Sequence, residues 1–353
     1  MKLVMLMTKR DYYFDNAKFI LIFFVVFGHL LKSYIDSDNL ISNLYKLIYT
    51  FHMPAFILVS GFFAKGIYES GYIGKITKKL ILPYVIFQFI YSIFYYFLFS
   101  KSIFKVDILN PHWSLWFLIS LFCWNIMLLI FNKLKPIHSL VIAFAIGLAV
   151  GYADWISNYL SLSRTFVFFP FFLVGYYLKK EHFQAITTRP GKLLAAITIM
   201  IVALGIIYFP ELNEQWLLGS KPYSHLESIS AIGLLKRMSI YGINFIMIGS
   251  FFAFVPRRRV FFTKWGGNTL YVYLLHGFIV RTFRGSNIEA YLNNSQTIFI
   301  MLILTLLLTL FLSSKVVTTA AQPIIELRWS RWKKTIYDFK ENLKEPKGKV
   351  QNE

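Results

Sequence analysis

Long apolar stretches recur along this chain and constrain its fold more than any other feature. A helix of about 20 apolar residues crosses a hydrocarbon core of about 30 Å. Ten windows of about that length, separated by short polar segments, are residues 18–35, 44–64, 81–100, 113–131, 137–153, 164–178, 193–209, 239–255, 268–284 and 297–317. The composition agrees, because 57% of residues are apolar and only 15% are charged, whereas a soluble domain is about one quarter charged. The pattern predicts an all-α, polytopic membrane helix bundle with about ten transmembrane helices.

The positive charges predict how these helices are oriented. If the N-terminus is cytosolic and the spans alternate, 27 of the 37 Lys and Arg residues fall inside and 10 outside. Cytoplasmic loops of membrane proteins carry such an excess. We therefore expect a multi-pass protein of the cell membrane with both termini in the cytosol. The same asymmetry accounts for most of the net charge of +20 without a nucleic-acid partner.

The segments between the windows are short, so any chemistry is expected within the spans and their loops. Cys123 is the only cysteine, which excludes an internal disulfide. We divide the chain into a membrane domain, residues 1–321, and a basic cytosolic tail, residues 322–353. In the tail, apolar residues recur at helical spacing among Arg and Lys, which is typical of an amphipathic helix on an anionic leaflet; they are Trp329, Trp332, Ile336 and Phe339.

Three ionisable residues, Asp15, Lys18 and His29, fall in or next to the first apolar window. At 100° per residue, Lys18 lies within about 20° and Asp15 within about 40° of His29, so all three share one stripe. With Lys18 at the cytosolic boundary, His29 would lie about 16 Å deeper, near the midplane. Ionisable groups at that depth are costly and often functional. The alternative is an Asp15–Lys18 surface pair, with His29 hydrogen-bonded to a neighbouring span.

Three further stretches bring polar residues to the spans. Each alone is explained by interfacial anchoring or by hydrogen bonds between helices. Together they supply enough polar groups to line a buried cavity. They are "FHMPAFILVSGFF" with His52, Ser60 and Gly61, "NPHWSLWFL" with His112, Trp113 and Trp116, and "GGNTLYVYLLHGF" with Asn268, Tyr271, Tyr273 and His276.

Two basic clusters fall in predicted cytosolic loops. Lys75, Lys78 and Lys79 precede the third window, and the run 257–259 is Arg-Arg-Arg. Either cluster suits a polyanion such as the phosphates of coenzyme A, because cationic side chains pair well with phosphate. The topology rule alone also places basic residues there.

Six of these stretches, in this order, resemble the membrane acyltransferase-3 family, which acetylates cell-surface sugars in bacteria. They are "RDYYFDNAKFILIFFVVFGH", "FHMPAFILVSGFF", "KKLILPY", "HWSLWFL", "FFPFFLVGYYLKK" and "NTLYVYLLHGFIV". Within that family the chain is most similar to stand-alone acetylases of the fucose 4-O-acetylase type. The family has a basic residue followed, after ten intervening residues, by a histidine; in this chain these correspond to Lys18 and His29. The resemblance also adds Arg10 to the candidate cofactor-binding residues. Its cytosolic Arg-x-x-Arg corresponds to Lys75 and Lys78, which lack the bidentate grip of Arg on phosphate.

The resemblance implies transfer of an acyl group, expected to be acetyl, from cytosolic acyl-coenzyme A to an extracytoplasmic sugar or polysaccharide hydroxyl. Acetyl-coenzyme A is a co-substrate, and no metal or permanently bound cofactor is expected. His29 is the expected general base or transient acyl carrier, since imidazole titrates near neutral pH. Asp15 and Lys18 would position the cofactor or set the local field, and His276 would orient the acceptor or stabilise the oxyanion.

Two alternatives stay open at this stage. Some relatives carry a fused extracellular hydrolase-like domain that completes the transfer; this chain shows none, so it either acylates its acceptor directly or passes the acyl group to a separate partner enzyme. A transporter or flippase for a polysaccharide or lipid-linked sugar would also need about ten spans with polar groups at depth. The sequence shows no repeated halves of the kind that transporters have.

Overall fold

The computed structural model describes residues 11–337 except 101, 157–158, 228–229, 287, 289–291, 293–295 and 331, and only the backbone of residues 230 and 231. Within those residues it contains helices and no strand. The helices are α1 Tyr12–Leu31, α2 Asn39–Tyr49, α3 His52–Phe62, α4 Tyr72–Ile76, α5 Leu82–Leu98, α6 Trp116–Phe131, α7 Pro136–Ala149, α8 Leu162–Tyr177, α9 Lys180–Ile186, α10 Arg189–Tyr208, α11 Gln215–Leu218, α12 Ser230–Phe254, α13 Thr269–Gly285, α14 Thr297–Leu312 and α15 Lys315–Ile325.

Every predicted apolar window coincides with a helix, so the helical membrane bundle is confirmed. Over the described residues, six helical segments are long and apolar enough to cross a bilayer, or seven if the bent pair α14 and α15 forms one span. The count of ten therefore stays a prediction. We call the end of the bundle that holds Tyr12 the inner end and the end that holds Leu31 the outer end. That the inner end faces the cytosol is the prediction of the charge pattern.

Helix α1 begins and ends earlier in the chain than we predicted. We expected a span over residues 18–35, but the helix runs from Tyr12 to Leu31, with the Asp11 side chain accepting from the backbone N–H of Tyr13 at its start. Asp15 and Lys18 form an ion pair of 2.9 Å, so their charges do not end the helix. His29 consequently lies in the last turn of α1, beside His276, which is midway along α13, and its depth in the bilayer stays a prediction.

The second apolar window is a broken helix. The α2 helix ends at Tyr49 and α3 begins at His52, with the Thr50 hydroxyl donating to the Leu47 carbonyl at 2.6 Å. The ring of His52 completes the break through Nδ1, 2.9 Å from the Ile48 carbonyl. We expected His52 at the external start of this span, which is wrong: it lies within the span, at the break.

Helices α3 and α8 cross so closely that their backbones are in contact at two glycines. A Cβ atom on Gly61 would overlap the Phe172 carbonyl, and one on Gly175 would overlap the Leu58 carbonyl. The expectation that helices approach closely at Gly61 is therefore confirmed. Small residues at such crossings let backbones approach, which is how membrane helices gain packing energy without a hydrophobic driving force between them.

The C-terminal part of the bundle differs from the predicted tenth window, residues 297–317. Helix α14 ends at Leu312, and α15 follows at an angle of 62°. The α15 helix runs through the proposed domain boundary at 321/322 to Ile325, which is buried. Trp329, Trp332 and Ile336 are exposed, and residues 332–337 are helical. The membrane-surface role of this tail stays a prediction, and its remaining residues, including Phe339, lie outside the described part.

Substitution at the α3–α8 crossing should destabilise the bundle. Gly61→Ala and Gly175→Ala place a methyl group against a carbonyl oxygen of a neighbouring backbone that has no room to yield. Overpacking of this kind costs about 1–3 kcal/mol, so we expect less protein in membranes and a lower melting temperature. Gly205→Ala is the matched control, because no atom lies within 4 Å of its added Cβ. Equal melting temperatures for Gly61→Ala and Gly205→Ala would contradict the proposed packing.

Candidate functional site

The inner end of α1 holds Asp15 and Lys18, paired at 2.9 Å. Lys18 Nζ also lies 5.6 Å from the centre of the Phe63 ring. The step of 11 positions from Lys18 to His29 corresponds to about 16 Å of helix. The pair and the histidine therefore share a helix and a stripe without touching, and Asp15 and Lys18 form the ion pair that the alternative interpretation described.

His29 lies at the outer end among aromatic rings from three other helices or loops. Its Nδ1 is 3.4 Å from the Tyr49 hydroxyl, and its ring centre is 4.2 Å from that of Trp113 and 5.4 Å from that of His276. The two imidazoles are nearly parallel, at 13°. His29 is half-buried, so it remains reachable by a small molecule. The structure thus brings together His29 and His276, which the sequence singled out separately.

His276 is fully buried, and its hydrogen bonding fixes its tautomer. Nδ1 lies 3.0 Å from the Val272 carbonyl, which can only accept, so Nδ1 donates. In the neutral ring Nε2 is then an acceptor. Within the described part of the chain, this buried Nε2 has no hydrogen-bond partner. A buried polar atom without a partner calls for an explanation, and a substrate hydroxyl is a suitable donor for it.

The loop before α6 carries Trp113, whose ring contacts that of His29. Gln88 of α5 donates to the Asn110 carbonyl at 3.0 Å and accepts from the backbone N–H of His112 at 2.9 Å. His112 Nε2 and the Ser92 hydroxyl lie 2.8 Å apart, and Tyr273 of α13 donates to the Ser114 carbonyl. The predicted "NPHWSLWFL" stretch therefore belongs to the site and does more than anchor an interface.

Two arginines of α13 complete the outer end, and sequence reasoning missed both. Arg284 donates to the His29 carbonyl at 2.6 Å. The guanidinium carbons of Arg281 and Arg284 lie 4.7 and 5.4 Å from the centre of the Trp113 ring. The sequence did mark these two arginines as unusual, because both belong to the ten basic residues on the predicted outer side, where the topology rule disfavours basic residues.

A third arginine approaches the same residues from α8. The guanidinium of Arg164 lies 5.1 Å from the Trp116 ring, and its Nε donates to the Leu218 carbonyl at 3.3 Å. Both Arg164 and Arg284 exert an electrostatic effect on Tyr49, the hydroxyl neighbour of His29. We use the name outer recess for the side chains grouped around His29, which are Tyr49, Trp113, Arg281 and Arg284, together with Arg164, which lies on the ring of Trp116.

The predicted cofactor-binding lysines lie at the opposite end of the bundle. Lys75, Lys78 and Lys79 are exposed, and Lys75 pairs with Glu69 at 3.0 Å. Tyr91 donates to the carbonyl of Leu274, two residues before His276. Tyr91 follows Lys79 by 12 positions, which is about 18 Å of helix. These lysines thus do not contact His29. Arg10 lies outside the described residues.

The Arg-Arg-Arg loop forms a second basic surface at the inner end. Asn16 of α1 donates to the carbonyls of Pro256 and Arg258 at 2.8 and 3.0 Å, which fixes this loop beside the start of α1. Arg257, Arg258 and Lys192 line a recess of about 440 Å³ there. No group of three His, Cys, Asp or Glu side chains suited to a metal occurs among the residues with a described position.

Comparison with known proteins identifies the family. The acyltransferase-domain model of the acyltransferase-3 family matches residues 11–314, which is most of the chain. The chain belongs to this acyltransferase family. The membrane acyltransferase thus places its two paired histidines and its three outer arginines within the matched domain.

Two curated relatives are nodulation proteins. The chain is 32% identical over 143 residues to nodulation protein NolL of Sinorhizobium fredii (strain NBRC 101917 / NGR234), an alignment that covers 36% of this chain and 39% of that protein. It is 29% identical over 221 residues to nodulation protein NolL of Mesorhizobium japonicum (strain LMG 29417 / CECT 9101 / MAFF 303099), covering 57% and 56%. The chain therefore spans about half the length of these relatives or less. No solved structure matches it.

The contact between Arg284 and the His29 carbonyl predicts a positioning role. A cation at a helix C-terminus stabilises the last turn, and here that turn carries His29. We expect Arg284→Gln to lower the rate of acyl transfer about tenfold, the effect of losing one charge-assisted hydrogen bond. Arg284→Lys, which keeps the charge, should recover part of the rate. Initial rates of label transfer in membranes measure both, with the exposed Arg189→Gln as control; an unchanged rate in Arg284→Gln would exclude the role.

Proposed function

We propose that this acyltransferase moves an acetyl group from cytosolic acetyl-coenzyme A to a hydroxyl of a sugar or cell-envelope polysaccharide on the outer side of the cell membrane. Family membership supports acyl transfer. The observation that carries the proposal is the pair of parallel imidazoles, His29 and His276, 5.4 Å apart at the outer end of the bundle. One of the rings is accessible and the other offers an unpartnered acceptor nitrogen.

The pair suits removal of a proton from a weak nucleophile. A sugar hydroxyl attacks a thioester only as its proton is taken, and imidazole is suited to that task near neutral pH. In direct transfer, the hydroxyl proton passes to His29 while the sugar oxygen bonds to the acyl carbon. The carbon–sulfur bond breaks and the coenzyme A thiolate leaves, finally taking up a proton. In two-step transfer, the acyl group would first reside on His29.

The tautomer of His276 supports one of its two expected roles. An Nε2 atom that only accepts can orient the acceptor by taking a hydrogen bond from its hydroxyl, whereas an oxyanion needs a donor. The donors near His29 are the guanidinium groups of Arg281 and Arg284. We therefore assign His276 to orientation of the acceptor and the two arginines to the negative charge that develops on the thioester oxygen.

The donor has to reach this site from the inner end. With its phosphates near Lys75, Lys78 and Lys79, the flexible arm of coenzyme A must bridge about 18 Å to the level of His276. Asp15 and Lys18, about 21 and 16 Å from His29 on the same helix, line the inner part of that path in this proposal. The basic recess beside Arg257 and Arg258 is the other place for the phosphates.

Replacement of His29 tests the proposed function. We expect His29→Ala to lower transfer of label from acetyl-coenzyme A to envelope sugars by about 10²- to 10⁴-fold, the usual contribution of a general base. The variant should accumulate in membranes, because His29 is half-buried and the hydrogen bond of its ring to the Tyr49 hydroxyl is long, at 3.4 Å. His138→Ala, an exposed position on α7, is the matched control. Full transfer by His29→Ala would refute the assignment, and no transfer by the native protein would favour a transporter.

The position of the donor phosphates has its own test. Replacing Lys75, Lys78 and Lys79 together by Gln should raise the KM for acetyl-coenzyme A about tenfold or more, because charge-assisted contacts to phosphate are lost, with little change in kcat. Gln at Lys133 and Lys135, another exposed inner pair, is the control. If KM rises only when Arg257 and Arg258 are replaced, the phosphates occupy the recess beside α1.

The need for a separate partner enzyme is settled by reconstitution. Transfer by the purified chain in nanodiscs to a soluble polysaccharide would show direct acylation. Transfer that requires the membrane extract would show that the acyl group is passed on.

A further inference from the structure

We propose that the outer recess binds an anionic group of the acceptor, either the carboxylate of an acidic sugar or the phosphate that links a sugar to a lipid. The inference rests on the proposed function, since it describes the acceptor of that same site. It goes beyond it by naming a charge that the acceptor must carry.

Cationic groups dominate the recess. Arg281 lies between the rings of Trp113 and Tyr95, at 4.7 and 5.6 Å from their centres, and its Nε is buried without a hydrogen-bond partner in the described structure. Arg164 is half-buried against Trp116. No described carboxylate forms an ion pair with Arg281 or Arg164.

Such a cluster is costly unless an anion enters. Like charges repel one another, and partly desolvated charges without a counter-ion are destabilising. An arginine on the outer side also opposes the topology rule, so its presence there calls for a reason. Arg237, a further arginine of the predicted outer half, has a structural reason, since it donates to the Trp216 carbonyl at 2.7 Å and stacks on that ring. Arg164 likewise donates to a carbonyl, that of Leu218, and lies on the Trp116 ring, so Arg281 is the arginine for which no backbone or carboxylate partner is described.

The residue type also favours an oxyanion ligand. A guanidinium presents a planar fork that matches carboxylate and phosphate, and it stacks on aromatic rings while it does so. The nearest outer ion pair described, Lys32 with Glu214 at 3.0 Å, uses lysine and is already complete. An acceptor anion held by Arg281, which stacks on Trp113, would bring a neighbouring hydroxyl toward His29 and His276, whose ring centres lie 4.2 and 5.7 Å from that of Trp113.

The test measures binding to the full chain in nanodiscs, without an acyl donor. The probes are D-glucuronate, D-glucose and geranyl diphosphate, at matched ionic strength, and the readout is the concentration dependence of the melting temperature. We expect at least one anionic probe to raise the melting temperature saturably and glucose to have no such effect. Glucuronate alone would identify an acidic sugar, and geranyl diphosphate alone a lipid-linked one.

Variants assign the binding to the recess. We expect Arg281→Gln to raise the apparent Kd for the anionic probe about tenfold or more, the effect of losing one charge-assisted pair. Arg281→Lys should weaken it less, and Arg189→Gln, on an exposed inner arginine, should leave it unchanged. If Arg281→Gln does not fold, Arg164→Gln takes its place.

Three results would overturn the inference: equal effects of glucose and glucuronate, no saturable effect of either anion, or unchanged binding in both Arg281→Gln and Arg164→Gln. The proposed function is separable, because acyl transfer by the native protein to a neutral acceptor, together with no saturable binding of either anion, would sink only this inference. Anion binding without any acyl transfer would sink only the proposed function.

Discussion

Hydrogen bonds from aromatic side chains to main-chain carbonyls of neighbouring elements hold this bundle in register. Tyr13 donates to Phe252, Tyr91 to Leu274, and Tyr241 to Val167, at 2.7, 2.9 and 2.7 Å. Trp124 donates to the Thr165 carbonyl in the same way, at 2.7 Å. Because a bilayer offers no water to satisfy a buried hydroxyl or indole N–H, each donor needs a partner at one defined place. The relative heights of the helices follow from these pairs.

The candidate site depends on that register. The bond from Tyr91 to Leu274 sets the height of α13 against α5, and the bond from Tyr273 to Ser114 ties α13 to the loop that carries Trp113. His276 and Trp113 then face the last turn of α1, where Arg284 fixes the His29 carbonyl. The two imidazoles are thus placed by contacts that lie outside the pair itself. Such support is what keeps a catalytic geometry fixed.

The two ends of the bundle have different chemistry. At the inner end, basic residues lie on exposed loops or pair with acids, as Lys75 does with Glu69 and Lys18 with Asp15. At the outer end, arginines are half-buried against tryptophan rings around His29. A mobile lysine suits a soluble cofactor that arrives and leaves, whereas a stacked guanidinium suits recognition of one geometry. The asymmetry agrees with a donor from one side and an acceptor from the other.

The sequence by itself determined the membrane bundle, the approximate location of the apolar segments, the family resemblance and the prominence of His29, because hydrophobic length and polar residues within apolar segments are local properties of the chain. It also indicated the close approach at Gly61. It did not determine that α1 begins at Tyr12. Charged residues usually mark the end of an apolar helix, but here Asp15 and Lys18 pair with each other inside the helix. Only the tertiary structure decided that His29 meets His276, 247 residues away along the chain, and that Arg164, Arg281 and Arg284 surround them. Those meetings depend on helix register, which side-chain contacts between distant segments set and no local pattern encodes.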